Sequence, residues 1–157
     1  MYIYLLRHAE AESDMHNPDK NRKLSKAGIE DANLLNKFIL DKGLRFDLVL
    51  SSSSTRTRET SEIILNDVVC DKDPEYLDEL YQASEDMILE IMLKSPTKNT
   101  LIVSHNPGLS QIISSLRKEE FKNYPTCTFG CFFRKESDDD FVNTILVNSA
   151  NGKIIDL

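Results

Sequence analysis

Apolar positions along this chain follow two rhythms, and the two alternate. "YIYLL" (residues 2 to 6) is a short unbroken run that predicts a buried strand. From Ser25 the rhythm changes: Ile29, Ala32, Leu35 and Ile39 recur every three to four residues, the signature of one helix face. Ser25 supplies the cap of that helix, which runs to about Lys42, and Gly43 supplies its stop. "FDLVLS" (46 to 51) predicts a second strand, and residues 55 to 66 a second helix carrying Ile63, Ile64 and Leu65. A loop with Pro74 leads to "YLDEL", and Ser84 then opens a helix whose first turn holds Glu85 and Asp86, which suits the helix dipole. "TLIVS" (100 to 104) is a third buried run. Asn106 as cap and Pro107 as first residue begin a helix with Leu109, Ile112, Ile113 and Leu116 on one face. "CTFGCFF" and "FVNTILVN" form a hairpin turning at residues 137 to 140, where three aspartates suit a solvated turn.

Strands alternating with helices predict an α/β sandwich around a largely parallel sheet, in one domain spanning 1–157. Ligands of such sheets bind beyond the carboxyl ends of the strands. Composition adds exclusions. No apolar run approaches the roughly 20 residues that span a bilayer, and the first run is too short for a signal peptide, so no membrane association and a cytoplasmic setting are expected. The net charge of −7 argues against nucleic acid as a partner. Cys127 and Cys131 lie four apart without a nearby histidine, which fits no common zinc pattern, and Cys70 stands alone. No metal or other cofactor is implied. A monomer is expected.

Three predicted strands end in polar groups at the ligand-binding edge. The first ends in Arg7-His8, and the second in "SSSSTRTRET", with Arg56 in the first turn of the next helix. The third ends in "SHNPG", where His105 and Asn106 precede a helix N-terminus rich in unpaired N–H groups. One histidine after a strand is commonly structural, and a serine run is commonly a flexible turn. Two arginines, two histidines and a helix terminus at one edge instead describe a pocket for a phosphate-like dianion. The chain has no glycine-rich triphosphate cradle and no Gly-x-Ser-x-Gly elbow. That leaves histidine as the nucleophile. A neutral imidazole attacks phosphorus, and neighbouring arginines depress its pKa while stabilising charge on the transferred group. His8, beside Arg7, fits this role.

"LLRHAEAE" resembles the Arg-His signature of the histidine phosphatase superfamily, the phosphoglycerate mutase-like phosphatases. "RKLSKAG" is similar to that family's Leu-Ser/Thr-x-x-Gly helix entry, and "VLSSSSTRTRET" to its Ser-x-x-x-Arg-x-x-x-Thr block. "LDEL" resembles the segment bearing the family's acid, and "LIVSHNPG" its second-histidine motif. Ala9 and Ser53 stand where many members have glycine and proline. The resemblance implies a three-layer α/β/α fold, with His8 as the phosphorylated nucleophile and Glu79 as proton donor. Arg7, Arg56 and His105 would bind the phosphoryl oxygens, with Asn106 beside them.

Only about twenty residues separate Glu79 from the strand at Thr100, leaving no room for the capping insertions of larger members. An open, shallow pocket resembles the SixA-like phosphohistidine phosphatases and does not suit a mutase, which must shield its intermediate from water. The expected activity is therefore metal-independent removal of phosphate from phosphohistidine on a partner protein. A small phosphate monoester as substrate and a non-catalytic phosphate-binding domain are the alternatives. Lys20, Arg22, Lys23 and Lys26 form a basic segment, suited to solvated surface or to an acidic partner.

Overall fold

The computed structural model describes residues 1–13, 16–120, 124–134, 140–150 and 152–157. Seven strands form one sheet: β1 (Tyr2–Arg7), β2 (Leu48–Ser52), β3 (Glu75–Leu77), β4 (Asn99–Ser104), β5 (Thr128–Arg134), β6 (Phe141–Ala150) and β7 (Lys153–Asp156). Four helices cover it: α1 (Lys26–Asp41), α2 (Thr55–Ile64), α3 (Glu85–Lys94) and α4 (Gly108–Arg117). The strand order is β3-β2-β4-β1-β5-β6-β7. β3, β2, β4 and β1 run parallel to one another, and β5, β6 and β7 extend that sheet antiparallel, so the sheet is mixed.

Side chains alternate across each strand, and this divides the core into two layers. Ile3 and Leu5 of β1 join Ile102, Ile88, Met92, Ile112 and Ile113 under α3 and α4. Tyr4 and Leu6 face the other way, toward Leu35, Ile39, Ile64 and Val103 under α1 and α2. A strand covered on both faces must be apolar throughout, which is why β1, β2 and β4 read as unbroken runs. The result is the expected α/β/α sandwich.

Ser25 caps α1 by accepting from the Gly28 N–H at 3.0 Å, and Gly43 ends it with φ +61. Ser84 caps α3 in the same way, from Met87 N–H at 3.3 Å. Ile29 departs from expectation: it is 43% exposed, and Gly28 takes the inner position. A Cβ at Gly28 would stand 2.1 Å from the Glu10 carbonyl oxygen, so the helix start can lie directly on the loop after β1. α2 stops at Ile64, two residues short of its predicted end. Asn106 is not the cap of α4; its amide turns to the Tyr124 carbonyl, and the helix opens at Gly108 after a cis Asn106-Pro107 bond. β5 and β6 pair as the predicted hairpin, while residues 137 to 139 of its turn lie outside the described residues. The short edge strands β3 and β7 were not foreseen.

Candidate active site

β1 and β4 are neighbours, so Arg7-His8 and His105 emerge side by side at the carboxyl edge. The backbone of His8 is held from several directions. Its N–H donates to Ser104 O at 3.2 Å, and the Cys127 N–H donates to both Arg7 O (3.1 Å) and His8 O (3.0 Å). The next residue, Ala9, donates its N–H to Thr60 Oγ1 at 3.0 Å, and that hydroxyl donates to Arg56 O at 2.7 Å. Thr60 of α2 thereby ties the loop bearing His8 to the turn bearing Arg56.

The His8 ring is buried, with Nδ1 2.7 Å from Ala9 O. A carbonyl only accepts, so Nδ1 carries the proton and a neutral ring leaves its lone pair on Nε2. Arg56 Nε donates toward that lone pair at 3.3 Å. Arg56 Nη2 lies 3.4 Å from His105 Nδ1, and His105 Nε2 is hydrogen-bonded to Ser52 Oγ at 2.8 Å. The two imidazole centroids are 5.0 Å apart. Both rings are held neutral. Burial pushes His8 down to about 3, against a hydrogen bond to Ala9 O that favours the charged form, and His105, Arg56 and Arg7 push it the same way as burial. Burial and then Arg56 bring His105 to about 3 as well, with Asp19 opposing.

Arg7 donates from Nη1 to Tyr124 O at 2.5 Å, and Asn106 Nδ2 donates to the same oxygen at 3.0 Å. Arg7 Nε is closed off from solvent without a hydrogen-bond partner. The four residues His8, Arg7, Arg56 and His105 are thus gathered at one edge, with Asn106 bracing Arg7 through Tyr124. Glu79 is not joined to them. It is exposed in a 3-10 turn, Asp78–Leu80, and among the described residues no hydrogen bond or ion pair links it to the cluster.

The sequence pattern of the histidine phosphatase superfamily (branch 1) matches residues 3–81, half of the chain. The chain belongs to the histidine phosphatase superfamily. Among relatives of this chain is a Drosophila willistoni protein named "Serine/threonine-protein phosphatase Pgam5, mitochondrial", 35% identical over 71 residues, or 45% of this chain and 24% of that protein. The chain therefore matches about a quarter of the length of that relative. The protein histidine phosphatase SixA, solved with tungstate, superposes with a TM-score of 0.85 over 98% of this chain and 100% of that one, at 20% identity. An Agrobacterium tumefaciens protein described as a candidate SixA phosphohistidine phosphatase gives 0.76 over 90% of this chain and 96% of that one, at 26% identity.

Several further residues shape the site. Ser51, Ser52 and Ser54 are fully buried, so the serine run is part of the packed site and no flexible turn. Ser52 orients His105, and Thr57 Oγ1 holds the Ser52 carbonyl at 2.6 Å. Asp19, from the polar stretch before α1, contacts Arg56, and Tyr81 contacts Asp19. A Pro18-Asp19 turn signal was the only available hint. Lys20 and Arg22 of the basic segment pair with Asp78 at 2.6 Å and Asp19 at 2.7 Å, while Lys23 and Lys26 are exposed. A cleft of about 690 Å³ between the end of α2 and β3, lined by Leu65, Val68, Cys70, Pro74 and Tyr76, contains none of the site residues. Among the described residues no group of His, Cys, Asp or Glu is placed to hold a metal ion, and no helix is long and apolar enough to cross a membrane.

Proposed function

We propose that this chain is a phosphatase working through a phosphorylated His8, and that its first substrate is phosphohistidine on a partner protein. The observation that carries the mechanism is the His8 ring itself: Nδ1–H fixed on Ala9 O, Nε2 unprotonated beside Arg56. In the first step Nε2 attacks phosphorus, a P–N bond forms to His8, and the bond from phosphorus to the leaving group breaks. Arg7, Arg56 and His105 hold the phosphoryl oxygens as charge spreads over them. In the second step water attacks, the His8 P–N bond breaks, its electron pair returns to Nε2, and inorganic phosphate leaves.

Glu79 bears on the substrate. Expelling an alkoxide calls for a general acid worth roughly 10²–10⁴-fold. A phosphorylated imidazole whose ring is already protonated leaves as neutral imidazole without that help. Glu79 is exposed and unattached to the cluster, which favours phosphohistidine over a small phosphate ester. The SixA likeness and the short connection between Glu79 and β4 support an open site for a protein substrate. Asn106 enters this reading as a brace for Arg7. The same reading takes the chain as cytoplasmic and monomeric, to be checked by cell fractionation and sedimentation.

The test is turnover of a phosphohistidine protein beside p-nitrophenyl phosphate, with wild type, His8→Ala and Glu79→Gln. Wild type is expected to prefer phosphohistidine, His8→Ala to lose turnover of both, and Glu79→Gln to leave both rates near those of wild type, because Glu79 stands clear of the cluster. Activity in His8→Ala rejects the intermediate. Efficient cleavage of the ester alone moves the assignment to a small-molecule phosphatase, and binding without turnover to a phosphate-binding domain.

A further inference from the structure

Arg56 is a cation with 5% of its surface exposed, and a charge so far from water needs a counter-charge close by. The histidines beside it are neutral and cannot supply one. Its guanidinium shows two different edges. Nε and Nη2 form the fork that meets His8 and His105. Nη1 and Nη2 meet Asp19, at its backbone O (2.6 Å) and at Oδ2 (3.0 Å). Asp19 is itself held at both carboxylate oxygens: Tyr81 OH donates to Oδ2 at 2.8 Å, and Arg22 Nε and Nη2 donate to Oδ1 at 3.0 and 2.7 Å. Some surface desolvation works against the charged form of Asp19, but the hydrogen bonds from Tyr81, Arg22 and Arg56 outweigh it and keep the carboxyl ionised far below its usual range. Arg7 differs. Among the described residues its Nη1 meets only a carbonyl, its Nε has no partner and no carboxylate pairs with it.

We propose that Asp19 is the positioning residue of this site. It grips Arg56 by the outer edge, so that the Nε–Nη2 fork stays turned toward the space between the two histidines, where a phosphoryl group takes two parallel hydrogen bonds. By neutralising Arg56 it also leaves Arg7 as the uncompensated cation that draws the incoming dianion. Asp19 sits in a 3-10 turn, Asp19–Asn21, on the segment joining β1 to α1, and the Lys20–Asp78 pair anchors that turn a second time beside the Glu79 turn. Asp19, Lys20 and Arg22 therefore form a rim of the site attached by polar contacts. This inference rests on the phosphatase reading, and names a residue that acts through Arg56 without touching the reacting atoms.

Asp19→Ala and Asp19→Asn test it against wild type, with kcat and KM on a phosphohistidine protein, calorimetric binding of tungstate, and the Arg56 Nε–H signal by NMR. Loss of orientation removes transition-state contacts, so Asp19→Ala is expected to lower kcat about ten- to hundredfold. Tungstate binding is expected to hold or tighten, because the variant carries one negative charge fewer at the site. Asp19→Asn keeps an acceptor for Nη2 and is expected to recover kcat to within about threefold of wild type, since geometry and not charge is what it restores. A general loss of structure would weaken kcat and tungstate binding together, and that result overturns the proposal. So does a kcat for Asp19→Ala within twofold of wild type. If wild type turns over no phosphorylated substrate, the phosphatase reading fails by itself. The Arg56 Nε–H signal then decides for Asp19: slow exchange in wild type and Asp19→Asn but not in Asp19→Ala upholds the grip, and slow exchange in all three removes it.

Discussion

A carbonyl oxygen can only accept, so one contact, His8 Nδ1 to Ala9 O, decides which ring nitrogen keeps its lone pair. The proton is fixed by a backbone atom, which no side-chain substitution nearby easily changes. Burial then keeps both His8 and His105 at about 3, well below the ordinary imidazole value. The prediction at this scale is spectroscopic. In the empty enzyme, nitrogen-15 NMR is expected to show His8 as the Nδ1–H tautomer from pH 5 to 8, with no titration in that range. A midpoint near 6.5 for His8 would show that burial does not control it. Arg7, His8, Arg56 and His105 were all legible in the sequence, because each closes a strand or opens a helix whose pattern is local. Asp19 was not: it reaches Arg56 across 37 positions from a polar stretch with no periodicity. Tyr124 was equally hidden, since its backbone carbonyl does the work and any residue type carries one.

Helix α1 reaches the site through its first turn. Ser25 N–H donates to Glu10 O at 2.9 Å, and Ser25 Oγ donates to Glu10 Oε1 at 2.7 Å, two residues beyond His8. Gly28 lets the helix lie against that same carbonyl. Gly→Ala inside an exposed helix gains up to about 1 kcal/mol from propensity. At Gly28 the sign is expected to reverse, with a loss of about 1–3 kcal/mol, because the added methyl meets a backbone oxygen that cannot rotate away. Urea unfolding measures the stability, and turnover under native conditions is expected to fall as well through displacement of the loop after β1. Unchanged stability would mean that α1 is not seated on that loop. The capping of α1 and α3 was legible because a serine and the residue three after it are neighbours in any helix start. The entry to α4 was not. Asn106 has the side chain of a good cap, but the Tyr124 carbonyl, eighteen positions away, takes its amide instead. β3 and β7, three and four residues long, owe their existence to the partner strand more than to their own pattern.

For the whole molecule, two buried neutral histidines mean that acid favours unfolding. The folded values are near 3 and the unfolded value is about 6.5, so between them the unfolded chain binds more protons. Stability is therefore expected to be flat above about pH 6.5 and to fall as pH drops toward 3, by about 1–2 kcal/mol per histidine at pH 5. The urea midpoint followed from pH 7.5 to 5 checks this, and the His8→Gln, His105→Gln double variant is expected to flatten the slope. A wild-type midpoint that does not move would contradict the neutral, buried state of the pair. Asp19, whose carboxyl is held low, adds its own loss only at more acid pH, outside that window.

By itself the sequence determined the layers, most of the elements and the four groups gathered at the sheet's carboxyl edge. The physical reason is that doubly covered strands must be apolar end to end, so a polar group at a strand's end announces itself. Only the tertiary structure decided the order of the sheet, and with it that β1 and β4 lie side by side and bring the His8 and His105 ring centroids to 5.0 Å. It also decided which nitrogen of His8 is free, that Glu79 stands apart in solvent, and that Asp19 closes on Arg56. These depend on contacts between residues far apart in the chain. Their energies come from burial and from paired charge, neither of which leaves a periodic trace in the order of the residues.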